Sequence, residues 1–166
     1  MSAITIRKAG SADAGTIVRL IRALAAYEDL VDLVQITEAD VLRDGFGERP
    51  CFECLLAEAD GEVLGCAIHR PSYSTFEGRP GLYVEDLFVA EGARQLGIGR
   101  LLMARLAAIA LQRGCTRMSL AVLHWNPARE FYRRLGFVQV EDWLPYHVSG
   151  DALARLAAED RGQKGS

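Results

Sequence analysis

Two carboxylates stand side by side in an otherwise apolar stretch of the chain. Glu85 and Asp86 lie within residues 83–90, whose β-branched and aromatic residues predict a strand. An acidic pair inside such a strand is unfavourable unless it has a partner or a task. Glu85 is therefore a candidate base, acting directly or through a water. In a regular strand Asp86 would face the opposite side, whereas a β-bulge could bring both carboxylates towards one site.

A glycine turn follows this strand. The sequence Arg94-Gln-Leu-Gly-Ile-Gly99 leads into residues 100–113, which have the composition of a helix. The first N–H groups of a helix lack partners within it, and the helix dipole favours negative charge, so the turn predicts an anion site. A dinucleotide-binding turn would need a third glycine where Leu102 stands, and the Gly-Lys-Ser/Thr sequence of a Walker motif is also missing.

The elements that position these residues alternate between strands and helices. The Asp60-Gly61 pair predicts an antiparallel hairpin, and a crossover helix predicts that the fourth and fifth strands are parallel. Ser11, Thr37 and Ser149 are candidate helix N-caps. The predicted strands are 4–7, 52–58, 63–68, 83–90, 118–123, 137–140 and 144–148, the predicted helices are 12–27, 38–44, 100–113, 126–135 and 150–158, and 72–81 is a predicted loop.

These elements predict an α/β (α+β) fold with a mixed sheet flanked by helices. We expect one domain over residues 1–160 and a disordered tail over 161–166.

The bulk composition disfavours several classes of function. A formal net charge of −3 offers no basic face for nucleic acid. No segment has the length and purity of a membrane span, and the N-terminus has no apolar signal core, so we expect no membrane partner and a cytoplasmic location. Cys51 and Cys54 form a lone C-x-x-C pair and the three histidines are scattered, so no metal site is predicted.

Several motifs resemble those of one enzyme family. The turn from Arg94 to Gly99 resembles the R/Q-x-x-G-x-G/A signature of the GNAT superfamily of acetyl-CoA-dependent N-acetyltransferases, and Asn126 with residues 131–137 resembles its later motif. The strings at 44–50, 82–89 and 125–126 look like the diamine (spermidine/spermine) and thialysine acetyltransferase branch. The resemblance runs from Ile6 to Tyr146. It implies the GNAT fold, whose mostly antiparallel sheet has a parallel, splayed central pair of strands.

The resemblance also implies roles for individual residues. Acetyl-CoA would be the cosubstrate, with no metal. The hydroxyl of Tyr132 would protonate the departing thiolate, and the backbone N–H of Leu87 would polarise the thioester carbonyl. The acceptor amine would be bound by Tyr27, Glu28, Glu85, Asp86 and Trp143. The implied cosubstrate-binding residues are Leu87, Phe88, Val89, Arg94, Gln95, Leu96, Gly97, Ile98, Gly99, Arg100 and Asn126.

The main functional hypothesis is a small-molecule amine acetyltransferase. A lysine-like amine has a reference pKa of about 10.4, so at neutral pH it must lose a proton before it can attack, and Glu85 is the candidate acceptor. The amine could belong to a polyamine, a diamine or a lysine analogue. Two alternatives remain: a protein or peptide N-acetyltransferase, and an acyl-CoA-binding regulatory module without turnover. A homodimer is implied by the resemblance.

Overall fold

The computed structural model describes residues 3–160. They fall into two compact units that divide between Asn126 and Pro127. The first unit contains β1 Thr5–Lys8, α1 Ala14–Tyr27, α2 Glu38–Phe46, β2 Glu53–Ala59, β3 Glu62–Ser74, β4 Arg79–Val89, α3 Ile98–Gln112 and β5 Met118–Leu120. The second unit contains α4 Ala128–Arg134 and α5 Gly150–Ala158. The tail expected over 161–166 lies outside the described residues, and the expectation of one domain over 1–160 stays a prediction.

The first unit is built on a five-stranded sheet in the order β1-β2-β3-β4-β5. The first four strands pair antiparallel with their neighbours, and β4 pairs parallel with β5. The predicted mixed, mostly antiparallel sheet with one parallel pair is confirmed. The long α3 makes the crossover between the two parallel strands, as such a connection requires.

Helices cover both faces of this sheet. Cys66 and Ile68 of β3 belong to one buried cluster with α1 and α2 residues such as Ile17 and Leu20. Gly65, the neighbour of Cys66, instead lies against Ile98 of α3, where an added Cβ atom would be 3.4 Å from the Ile98 side chain. Because neighbouring strand residues point to opposite faces, α1 and α3 lie on opposite sides of the sheet.

Of the three predicted helix caps, Thr37 is confirmed, Ser149 is confirmed in position only, and Ser11 is wrong. The hydroxyl of Thr37 accepts a hydrogen bond from Asp40 N, and Asp40 accepts one in return from Thr37 N, at 3.2 and 2.9 Å. Ser11 does not cap α1, because residues 11–13 form a short 3-10 helix before it. Ser149 stands at the N-cap position of α5 but makes no side-chain capping bond.

The predicted loop over 72–81 is also wrong. Strand pairing continues up the hairpin to Ser74 and Arg79, so the turn between β3 and β4 occupies only 75–78. Glycine, proline and serine suggested a break, but an antiparallel partner at every position extends the ladder. The helix α3 begins at Ile98 rather than at Arg100, because Gly97 adopts the left-handed conformation that starts it.

The late strands predicted at 137–140 and 144–148 are absent from the described structure, as is the end of the fifth strand beyond Leu120. Val138, Val140, Leu144 and Tyr146 are exposed. Their β-forming side chains suggested strands, but a strand also needs a hydrogen-bonding neighbour, and no strand of the described sheet pairs with them. The predicted helix at 126–135 is shorter than expected and runs from Ala128 to Arg134.

Within residues 3–160 no helix is both long and apolar enough to cross a membrane. Over the same residues, no group of three or more histidine, cysteine, aspartate or glutamate side chains is arranged to hold a metal ion.

Candidate active site

The strand β4 carries a β-bulge at the two candidate carboxylates. Ile68 of β3 pairs with Asp86, and the next residue, His69, pairs with Val84, so Glu85 is the extra residue on β4. A bulge interrupts the alternation of side chains along a strand. The sequence left open a regular strand or a β-bulge at this acidic pair, and the structure has the β-bulge.

Arg70 shows which side Glu85 occupies. Its Nε donates a hydrogen bond to the Glu85 carboxylate, and its guanidinium carbon lies 4.5 Å from the centre of the Tyr83 ring. Arg70 and Tyr83 are paired in register and share a face of the sheet. Asp86 pairs with Ile68 and shares its face of the sheet. Ile68 lies two residues before Arg70 in β3, so Asp86 and Arg70 are on the same face. The bulge thus brings both carboxylates to the face covered by α1.

A third carboxylate, that of Glu28, belongs to the same cluster. Burial, followed by the neighbouring charges of Glu85 and Glu28, raises the pKa of Asp86 to about 6. Burial also raises the pKa of Glu28, while a hydrogen bond with the Asn126 side chain acts in the opposite direction. We call Glu28, Glu85 and Asp86 the acidic cluster. Such a group of carboxylates is suited to a cation and to accepting a proton near neutral pH.

One edge of β4 becomes free of strand partners next to this cluster. The parallel pairing with β5 covers only Leu82–Val84 and Met118–Leu120. Over 85–89, β4 keeps β3 as its neighbour on one side, while β5 has already ended on the other. The parallel pair of β4 and β5 is therefore open beyond Val84, which leaves backbone groups of β4 available on the side of β5.

The backbone direction identifies which groups these are. Ala90 N donates to Leu64 O of β3 at 2.8 Å. Because backbone groups alternate along a strand, those of Val89 and Leu87 point to the other, open side. Val89 O indeed accepts a hydrogen bond from Arg94 Nε at 3.2 Å. The N–H of Leu87 therefore faces the open edge, one residue beyond the acidic pair.

The glycine turn forms the N-terminus of α3. Gly97 adopts a left-handed conformation with φ of 73°, and an added Cβ atom there would find nothing within 4 Å. The first helical bond runs from Leu101 N to Gly97 O at 3.1 Å. The N–H groups of residues 98–100 consequently lack acceptors within the helix. This is the backbone arrangement that binds anions.

The other predicted cosubstrate residues differ in exposure. Gln95 and Arg100 are exposed, and Leu96 and Gly99 are half-buried. Ile98 and Phe88 are buried in the core. The backbone groups of Phe88 face β3 by the same alternation, so of these two residues only the backbone N–H of Ile98 is available to a ligand.

Aromatic side chains connect the turn with α1. The guanidinium carbon of Arg94 lies 4.3 Å from the centre of the Tyr27 ring. The ring of Trp125 lies 6.5 Å from that of Tyr27. Tyr27 is thus in contact with Arg94, a residue predicted to bind the cosubstrate.

Tyr132 and Trp143 belong to the second unit. The ring of Tyr132 packs edge-on against Phe131 and Phe137, with centroids 5.2 and 5.7 Å away. The body of this half-buried side chain is held by aromatic contacts on α4 and just after it. Trp143 is 71% exposed.

Sequence reasoning missed Arg70 and the contact made by Trp125. Arg70 lies in an antiparallel strand opposite a residue close to the predicted base. A correct register for the β3–β4 hairpin would have indicated the pair, but the bulge at Glu85 changes that register and is not marked by glycine or proline. Trp125 belongs to one of the strings that resemble the family. Its contact with Tyr27 joins residues that are far apart in the sequence, so no local pattern indicated it.

Comparison with known proteins supplies the family. The "Acetyltransferase (GNAT) family" matches residues 20–137. The chain belongs to the GNAT family. It is an enzyme of the acyltransferase class, and the family uses acetyl-CoA as cosubstrate. The sheet with its open parallel pair is the GNAT fold that the resemblance implied.

Relatives of this GNAT enzyme confirm the predicted branch. The chain is 41% identical over 171 residues to a thialysine N-epsilon-acetyltransferase of Bos taurus, covering 96% of this chain and 100% of that protein. It is 34% identical to spermidine/spermine N(1)-acetyltransferase-like protein 1 of Homo sapiens, covering 96% of this chain and 24% of that longer protein. An integron cassette protein from the mobile metagenome of V. cholerae has a TM-score of 0.79 at 28% identity, covering 95% and 98% of the two chains.

Proposed function

We propose that the enzyme transfers an acetyl group from acetyl-CoA to the primary amine of a small cationic acceptor, such as a diamine, a polyamine or a lysine analogue. The observation that carries this proposal is the acidic cluster at the open end of the parallel strand pair. The names of the thialysine and spermidine/spermine relatives support the same class of acceptor.

The first unit has groups that fit acetyl-CoA. The free N–H groups of residues 98–100, with Arg94, Gln95 and Arg100, would hold its pyrophosphate, and Gly97 leaves open space there. The open edge of residues 87–89, with the backbone groups of Leu87 and Val89 on that side and Phe88 between them, would accept the pantetheine arm as an added strand partner. Leu96, Gly99 and Asn126 complete the proposed binding residues. When bound, acetyl-CoA supplies the acetyl group as a reactive thioester.

The carboxylates of this unit would prepare the amine. Glu85 accepts a proton from the ammonium, directly or through a water, so that the nitrogen lone pair becomes available. Asp86 and Glu28 hold the remaining positive charge, and Tyr27 offers an aromatic face to it. The N–H of Leu87 polarises the carbonyl that is attacked, because it points to the open edge next to these groups.

Tyr132 is the proposed acid. Tyr132 donates its phenolic proton to the departing thiolate, and its aromatic contacts fix the ring that carries the hydroxyl. Trp143 would add an aromatic surface for the acceptor. The proposal also includes a homodimer, a cytoplasmic location and no metal, and mass in solution tests the first of these.

The experiment is thiol release from acetyl-CoA, measured against a panel of amines and a lysine-containing peptide. The proposal expects release with small amines and not with the peptide. Release with the peptide alone would favour a protein or peptide acetyltransferase. If no acceptor in the panel raises thiol release above background while acetyl-CoA still binds, a regulatory module would be favoured and the proposal overturned.

A substitution of Tyr132 separates the acid from the binding site. Tyr132→Phe keeps the aromatic contacts of the ring and removes only the hydroxyl. We expect kcat to fall by about a hundredfold, the lower end of the range for general acids, while binding of coenzyme A changes little. Weakened binding with unchanged turnover would contradict the proposed role.

A further inference from the structure

One guanidinium stands within the acidic cluster. Arg70 pairs with Tyr83 across the β3–β4 ladder, and its Nε donates to Glu85, the proposed base. A site that bound only polycations would gain from carboxylates alone, because a fixed guanidinium repels a second ammonium group. The presence of Arg70 therefore indicates an acceptor that brings a negative charge as well as an amine.

Arg70 still has hydrogen-bond donors to offer. Its Nη1 reaches only Pro71 O, at 3.5 Å, and within residues 3–160 Nη2 has no hydrogen-bond partner. The side chain is 43% exposed. A guanidinium presents its donors as a planar fork that matches the two oxygens of a carboxylate. The Tyr83 ring, 4.5 Å from the guanidinium carbon, supports that fork.

The two kinds of charge are arranged for a zwitterionic ligand. An amino acid with a side-chain amine carries a carboxylate at one end and an ammonium at the other. Its carboxylate can meet Arg70 while its amine reaches Glu85, and Asp86 and Glu28 can balance the remaining positive charge. The diamine obtained by removing the carboxyl group lacks the group that Arg70 can bind.

We propose that Arg70 is a specificity-determining residue that binds the carboxylate of an amino-acid acceptor, so that the enzyme favours such amino acids over the corresponding diamines. The inference rests on the proposed function, because it names the acceptor class of that same site. The competing role for Arg70 is positioning alone, in which it orients Glu85 and has no contact with the acceptor. The two roles differ in whether Arg70 affects the choice between acceptors.

Matched acceptors test the proposal. L-ornithine and putrescine differ only by the carboxyl group, as do L-lysine and cadaverine. The unmodified enzyme is expected to have the higher kcat/KM for the amino acid of each pair. Arg70→Gln should reduce that preference by about tenfold or more, the usual effect of losing a charge-assisted hydrogen bond, mainly through the KM of the amino acid. Arg70→Lys, which keeps the charge without the fork, should lie between the two.

Arg105→Gln is the matched control, since Arg105 is an exposed arginine on α3 and the charge change is the same. It should leave the preference unchanged. An equal loss of activity towards both members of a pair in Arg70→Gln would assign Arg70 to positioning and overturn the proposal. If none of the amines supported activity, the proposed function itself would instead be contradicted.

A second measurement needs no variant and serves if Arg70→Gln does not fold. L-lysine methyl ester keeps both amines and has no carboxylate. With the unmodified enzyme its kcat/KM should be about tenfold or more below that of L-lysine. Equal values for the ester and the free amino acid would overturn the role of Arg70.

Discussion

Two clusters of charged side chains in the first unit use carboxylates in opposite ways. Near the start of β2, Glu53 lies between two cations: its carboxylate oxygens are 2.8 Å from Lys8 Nζ and 2.6 Å from Arg113 Nη1. Hydrogen bonding to Arg113, then to Lys8, lowers the pKa of Glu53 to about 2 despite its burial. In the acidic cluster carboxylates outnumber cations, and burial together with like charges raises the pKa of Asp86 to about 6.

The difference distinguishes a structural site from a functional one. Glu53 is matched by cations that join β1, β2 and α3, so its charge stabilises the fold. The acidic cluster has more negative charge than its neighbours compensate, which is unfavourable for folding and useful for binding a cation. The comparison predicts that substitutions in the acidic cluster lower activity whereas substitution of Glu53 does not, and that substitutions at the two clusters change stability with opposite signs.

The largest expected difference is in turnover. Glu85→Gln removes the proposed base while keeping its size, and we expect kcat to fall by about a hundredfold or more. Glu53→Gln removes one carboxylate in the same way and should leave kcat within about twofold, because Glu53 touches no proposed site residue. Steady-state thiol release with the best amine measures both.

The comparison would fail if the two variants lost turnover equally. An intermediate loss in Glu85→Gln that is restored at higher pH would indicate that another carboxylate of the cluster can take the proton. Circular dichroism of both variants provides the control for folding.

The fold and the local parts of the candidate site could be predicted from the sequence. The fold was predictable because strand patterns, the Asp60-Gly61 turn and the crossover helix constrain the sheet strongly, and the relatives confirm the family. The positions of the acidic pair and the glycine turn were also predictable, because both are local in sequence. Their roles in catalysis and binding stay predictions.

The remainder depends on contacts between distant residues. Neither the Arg70–Glu85 pair nor the pairs that Glu53 makes with Lys8 and Arg113 are marked by local sequence, because the fold decides which charges meet. The bulge at Glu85 had no glycine to indicate it. The late strands at 137–140 and 144–148 were predicted from residue type alone, which cannot supply the missing partner strand.

The second expected effect is on stability, with opposite signs at the two clusters. The folded-state pKa of Asp86 is raised from 3.8 to about 6, so its stabilising contribution is present below pH 3.8 and is lost as the pH rises through about 6. Asp86→Asn should therefore raise the free energy of unfolding at pH 8 by about 1–3 kcal/mol, with little change at pH 4.

Glu53 should behave in the reverse way. Its folded-state pKa is lowered from 4.5 to about 2, so its contribution is present above pH 4.5 and is lost as the pH falls towards 2. Glu53→Gln should lower the free energy of unfolding at pH 7 by about 1–3 kcal/mol. Urea unfolding at several pH values measures both variants, and effects of the same sign at neutral pH would remove the distinction between the clusters.

The smallest expected effect concerns coupling inside the acidic cluster. If ionised Asp86 helps to bind the cationic acceptor, kcat/KM should fall as the pH drops below about 6. Glu28 is one of the charges that raise the pKa of Asp86, after burial and Glu85. Glu28→Gln should therefore move this fall in kcat/KM, the acidic limb of the pH profile, to lower pH by roughly half a pH unit. Glu53→Gln serves as the control that removes a carboxylate outside the cluster and should leave the limb in place. A limb that stays fixed in Glu28→Gln but disappears in Asp86→Asn would mean that Asp86 titrates independently of Glu28, and that the cluster binds its cation as separate carboxylates rather than as one coupled group.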